Sequence, residues 1–149
     1  MDIPETEQAA FGKQILLVED HRDSAEAITM ILEMEGYLVR WVATAKEALQ
    51  ALSASAAAGN QAPLPDLILL DLMLPDMSGI ELVREWSATG QVIPPIIIAS
   101  AKPPQAIKAA ACSIGAAGIV RKPFSLDELL GCVAAVLSRK DMRQLGPEV

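Results

Sequence analysis

Asp66-Leu67-Ile68-Leu69-Leu70-Asp71-Leu72-Met73-Leu74-Pro75-Asp76-Met77-Ser78-Gly79 is the stretch that decides the fold. Leu67 to Leu70 is a continuous apolar run, the pattern of a strand covered on both faces rather than one alternating between core and water. It ends on an acid, Asp71, followed by a loop marked by Pro75 and Gly79. Open α/β sheets place ligand chemistry outside the carboxyl ends of their strands. Asp71 is therefore the candidate reactive residue, and the rest of the chain is read as its support.

Working outward, other segments repeat this grammar. Gln14 to Val18 reads as a short buried strand ending on Glu19 and Asp20, and Asp23 to Glu35 as a helix stopped by Gly36. Tyr37 to Val42 is a second strand. Thr44-Ala45-Lys46-Glu47 is a capping box that opens a helix fading into the Ala-, Ser- and Pro-rich loop Ser53–Pro65. After the opening stretch, Ser78-Gly79-Ile80-Glu81 forms a second capping box, with Met77 and Leu82 at the staple positions. Ile96 to Ala99 is a strand reaching Ser100, followed by an Ala-rich helix over Gln105–Ile114. Gly118 to Arg121 delivers Lys122-Pro123. A third box, Ser125-Leu126-Asp127-Glu128, with Phe124 and Leu129 as its staple, opens the last helix, expected to end near Ser138.

Five β-α repeats argue for a flavodoxin-like, doubly wound parallel sheet. Right-handed crossovers leave few topologies, and the strand order 2-1-3-4-5 is a common one. In that order Glu19 and Asp20 face Asp71 across the switch point, with Ser100 and Lys122 arriving from strands 4 and 5. Three clustered carboxylates repel and raise one another's pKa values unless a cation lies among them. Oxygen ligands of this kind suit Mg²⁺. A lysine and a serine beside an aspartate suit the holding of phosphoryl oxygens, and aspartate can accept a phosphoryl group covalently. Asp20 could instead cap the first helix, Asp71 the following loop, and Lys122 could be a surface lysine. Their joint placement on strand tips favours the functional reading.

On these residues the chain resembles a response-regulator receiver domain of two-component signalling, over roughly residues 13–138. The motifs are Glu19-Asp20, Asp71, the Leu74-Pro75-Asp76-Met77-Ser78-Gly79 loop, Ser100-Ala101 and Lys122-Pro123-Phe124. The resemblance implies that Asp71 is a phosphoacceptor supplied by a sensor histidine kinase or a histidine phosphotransfer protein. It implies that Asp20, Asp71 and the Met73 backbone carbonyl bind Mg²⁺, with Glu19 reaching the ion directly or through water. Ser100 and Lys122 are implied to contact the phosphoryl group, and the Lys122–Pro123 bond to be cis. Such a domain is not an enzyme in the usual sense; it catalyses only its own phosphorylation and slow dephosphorylation.

Two departures stand out. Receivers usually carry Tyr or Phe three residues before the lysine, and here the position is Ile119. The last helix lacks a charged ladder; Leu129, Leu130, Cys132, Val133, Val136 and Leu137 make it largely apolar, which suggests a receiver homodimer through the last two helices. The chain resembles a stand-alone or hybrid-kinase receiver. One competitor, a haloacid-dehalogenase-type phosphatase, needs a second Asp two residues after its nucleophile, and here that residue is Met73. The other is a receiver scaffold independent of phosphorylation.

Composition bounds the rest. A chain of 149 residues is large enough for one domain with a full core. It is 52% hydrophobic but 3% aromatic, so Ile, Leu, Val, Ala and Met build that core. A net charge of −7 disfavours non-specific binding to nucleic acid or anionic membrane. Residues 1–12 are expected to form a disordered arm without a signal peptide, and 139–149 a charged tail. No apolar run is long enough to span a membrane, and a cytoplasmic location is expected. Cys112 and Cys132 are read as small buried hydrophobes in a reducing compartment, Trp41 and Trp86 as packing residues, and His21 as a solvated loop residue.

Overall fold

A computed structural model describes residues 12–58 and 64–144. The expected arm falls almost wholly outside the described residues, as do the middle of the expected loop and the end of the expected tail. The elements run β1 (Gln14–Val18), α1 (Arg22–Met34), β2 (Leu38–Val42), α2 (Ala45–Ala58) and β3 (Leu67–Leu70). They continue as α3 (Gly79–Ala88), β4 (Ile96–Ser100), α4 (Pro104–Ile114), β5 (Gly118–Arg121) and α5 (Leu126–Gln144). All strands are parallel, and the sheet order is β2-β1-β3-β4-β5. This is the flavodoxin-like arrangement expected from the β-α repeats.

The apolar runs of β1, β3 and β4 are continuous because each of these central strands feeds two cores. Ile15, Leu17, Leu67, Leu69, Ile97 and Ala99 point to the α1/α5 side, where they meet Ile28, Leu32, Leu129 and Val133. Leu16, Val18, Ile68, Leu70 and Ile96 point to the opposite side, against Ala48, Leu52, Leu82 and Trp86. Ile98 joins Leu72, Ile107 and Ala110 beneath α4. Consecutive side chains of a strand alternate faces, so only a sheet covered twice makes every position of β3 apolar.

The helix starts follow their local chemistry. The hydroxyl oxygens of Thr44, Ser78 and Ser125 accept the N–H groups of Glu47, Glu81 and Glu128 at 3.1 Å. Gly36 ends α1 with φ +100°, a backbone conformation that a β-carbon disfavours.

Several boundaries differ from the sequence reading. The helix after β2 persists to Ala58, six residues into the expected loop. The last helix continues to Gln144, because Arg139 to Gln144 contains no Gly or Pro to stop it. Its apolar residues are not an open face: Leu129, Val133, Val136 and Leu137 are buried against the sheet. What α5 exposes, besides Leu126 at its start, is polar or small: Asp127, Glu128, Gly131, Ala134, Ala135, Ser138 and Arg139. Both cysteines are free thiols, but Cys112 is exposed rather than buried. Trp86 is buried as expected, whereas Trp41 is 39% exposed. Among the described residues, no helix is long and apolar enough to cross a membrane.

Candidate functional site

Strand register assembles the site. Val18 pairs with Leu70, which sets Glu19 level with Asp71, and the Asp71 N–H donates to the Val18 carbonyl at 3.0 Å. Leu70 pairs with Ile98, so Ser100 lies one step beyond the level of Asp71 on the other side. Ser100 pairs in turn with Arg121, and the Lys122 N–H donates to the Ser100 carbonyl at 2.8 Å. Four adjacent strand tips therefore bring together the residues singled out from sequence.

The loop after β3 folds back on the same point. The Met73 N–H donates to Asp71 Oδ1 at 3.0 Å, and Met73 bridges Ser78 in an antiparallel pair. The Gly79 N–H donates to the Leu72 carbonyl at 3.1 Å. A β-carbon on Gly79 would stand 3.1 Å from the Asp71 carbonyl oxygen and 3.2 Å from Leu72 Cα. Glycine is needed there because the first turn of α3 touches the backbone that carries the aspartate.

Asp71 is 9% exposed, Glu19 1% and Ser100 fully buried, whereas Asp20 is open to solvent. Lys122 Nζ donates to Glu19 Oε1 at 2.8 Å and to Asp71 Oδ2 at 3.2 Å. Burial pushes the Glu19 carboxyl up to about 7, helped by the neighbouring Asp71 carboxyl and opposed by Lys122. Burial alone would lower the Lys122 ammonium. The hydrogen bond to Glu19 and the negative charges of Asp71 and Glu19 outweigh it and raise the pKa. Ser100 Oγ accepts the Lys102 N–H at 3.1 Å, fixing the first step of the loop after β4. The Lys122–Pro123 peptide bond is cis.

Carboxylate oxygens of Glu19, Asp20 and Asp71 all lie within 4.8 Å of one another. An all-oxygen set of two buried acids and one exposed acid, open on the Asp20 side, fits a hard divalent cation that keeps several waters. These residues could hold a metal ion, and the site fits it on donor chemistry as well as spacing.

The chain matches the response regulator receiver domain over residues 15–134. It belongs to the response-regulator receiver family. It is 34% identical over 132 residues to the alkaline phosphatase synthesis transcriptional regulatory protein SphR of Synechococcus elongatus, a match covering 88% of this chain and 51% of that protein. Among solved structures, it resembles a CheY-like response regulator receiver domain protein from Methanospirillum hungatei. That likeness has a TM-score of 0.75 and 27% identity, covering 89% of this chain and 98% of the other. The receiver domain of a signal transduction histidine kinase from Syntrophus aciditrophicus gives a TM-score of 0.71 and 30% identity, covering 86% and 92%. The chain spans about half the length of the curated relatives it matches. As a receiver, it is part of two-component signal transduction, in which response regulators act with sensor kinases.

Two contributors to this receiver's site escaped the sequence reading. The Trp41 indole N–H donates to the Glu19 carbonyl at 2.6 Å. The Asp76 carboxylate accepts the Ala45 and Lys46 N–H groups at 3.0 and 2.9 Å, so the loop after the aspartate caps α2. Neither tie has a local signal, since its partners are 22 and 31 or 30 residues apart. His21 precedes α1 and makes no side-chain capping bond.

Proposed function

We propose that this receiver accepts a phosphoryl group on Asp71 from a phosphohistidine, carried by a sensor kinase or by a histidine phosphotransfer protein. The observation that carries the reading is the pairing of Asp71 with Lys122 at one edge of a three-carboxylate cluster. An Asp71 oxygen attacks phosphorus, the phosphorus–nitrogen bond breaks, and the imidazole leaves with a proton. Lys122 neutralises charge on the acceptor side and offers donors to phosphoryl oxygens, with Ser100 on the neighbouring tip. Glu19, Asp20, Asp71 and the Met73 carbonyl would hold Mg²⁺. When bound, the ion supplies charge neutralisation to the transferring phosphoryl oxygens.

In this reading the domain accepts and holds the group without turning over a separate substrate. The product switches partner binding. Ile119, 40% exposed on β5, cannot act as the usual aromatic reporter, so the loop from Ser100 to Pro104 and α4 would carry the response. A homodimer through the last two helices rests on the exposed Ile119 and Leu126 with the small residues Ala106 and Ala109, not on the buried stripe of α5. The relatives named as transcriptional regulators are about twice as long as the matched span, and that activity is theirs.

The test is intact-mass measurement after incubation with acetyl phosphate, with Mg²⁺ and with a chelator. Uptake of one phosphoryl group only with Mg²⁺ supports the proposal; a phosphorylation-independent scaffold takes up none in either condition.

A further inference from the structure

We infer that Trp41 is a positioning residue for the acidic pair, holding the Glu19–Asp20 peptide so that both carboxylates face Asp71. This inference rests on the reading of the cluster as a Mg²⁺ site.

The geometry begins with the edge strand. Trp41 lies opposite Leu17 in the β1–β2 register, and the Glu19 N–H donates to the Val42 carbonyl at 3.1 Å. A parallel ladder continued by one more rung would bring the Thr44 N–H to the Glu19 carbonyl. The chain instead bends at Ala43 and Thr44 and enters α2 at Ala45. The Trp41 side chain reaches forward and supplies the donor, at 2.6 Å. Both backbone polar groups of Glu19 are therefore tied to β2, one by main chain and one by indole.

That carbonyl belongs to the peptide joining the two acids. A peptide unit is planar, so fixing its C=O direction fixes the plane from which the Glu19 and Asp20 side chains both depart. Glu19 needs such aim because its carboxylate is buried between Lys122 and Asp71. Asp20 needs it because its exposed side chain has little packing to orient it. Burial alone does not account for Trp41: the residue is 39% exposed. Trp86 is the contrast, 3% exposed and with its N–H donating to the Val92 carbonyl, outside the three-carboxylate cluster.

The experiment replaces Trp41 by benzothienylalanine, which keeps the bicyclic shape and lacks the N–H, with Trp41→Phe as a genetically encoded companion. Mg²⁺ affinity is measured by calorimetry, and the melting temperature without Mg²⁺ reports structural cost. One neutral hydrogen bond transmitted to the metal site corresponds to a loss of about three- to tenfold in affinity. The inference is supported if both variants bind Mg²⁺ that much more weakly than wild type. It is overturned if the benzothienyl variant melts lower yet binds Mg²⁺ as wild type does, since the tie would then be structural only. If wild type itself binds no Mg²⁺, the metal reading falls and this inference falls with it.

Discussion

Lys122 Nζ lies 2.8 Å from Glu19 Oε1, joining residues 103 apart in sequence and closing the gap between the outer tip of β5 and the tip of β1. The same ammonium reaches Asp71 at 3.2 Å, so one cation balances two nearly buried carboxylates. Lys122→Ala leaves Glu19 buried beside Asp71 with no balancing charge. The expected loss is about 2 kcal/mol of stability at pH 8, shrinking toward pH 5 as Glu19 takes up a proton. Urea unfolding at the two pH values measures it. An equal loss at both would show that the contact is not electrostatic. Mg²⁺ binding should survive the change, because lysine is not a metal ligand.

The raised Glu19 pKa has a signed consequence. Folding lifts this carboxyl from 4.5 to about 7, so the folded state holds the proton more tightly than the unfolded chain. Its contribution to stability is complete below about pH 4.5 and is lost as pH rises to about 7. Comparing wild type with Glu19→Gln across pH 4 to 8 isolates that slope. Mg²⁺ affinity should run the opposite way, strengthening through the same window, because the ion requires the carboxylate. A flat affinity from pH 5 to 8 would remove Glu19 from the ligand set.

Much of this was legible from the chain. Continuous apolar strands announced a sheet covered on both faces, and acids at their ends announced the site, because both follow from local pattern. The three capping boxes found their helices for the same reason. The apolar residues of α5 misled: Leu129, Val133, Val136 and Leu137 fall on one helical stripe, and the sheet, not a partner, covers it. The ties from Trp41 and Asp76 were illegible, since only the tertiary fold brings their partners within hydrogen-bond reach.

Asp76 yields a separate prediction. A small burial cost acts upward on its carboxyl, and the Lys46 and Ala45 N–H groups outweigh it, so the pKa is lowered. Stability from this cap is present above the ordinary carboxylate value and is lost as pH falls through the lowered one. Asp76→Ala should cost about 1 kcal/mol at pH 7 and progressively less below pH 4. Thermal melts of both proteins at pH 3 and 7 decide it. A pH-independent difference would mean that the charge on Asp76 is not what holds α2.

Met73 bears on how long the phosphoryl group lasts. The residue is 59% exposed, two positions beyond Asp71. A thioether is a poor hydrogen-bond partner and cannot orient attacking water as a carboxamide can. Losing one such contact, worth ~1.4 kcal/mol in the transition state, slows hydrolysis about tenfold. The phosphorylated form should therefore decay slowly, and Met73→Asn about tenfold faster. Unchanged decay in the variant would show that the lifetime is set elsewhere; Lys102, in the loop after Ser100, is the next residue to substitute.

The most direct measurement of the central claim is the site and extent of phosphoryl uptake in wild type beside Asp71→Asn, each with Mg²⁺ and acetyl phosphate. The substitution keeps the shape of the β3 tip and removes the nucleophilic oxygen pair. Peptide mapping should place one phosphoryl group on Asp71 in the wild type and none in the variant. Equal labelling of the two proteins, or a wild-type label on any other residue, would contradict the assignment of Asp71 as the acceptor.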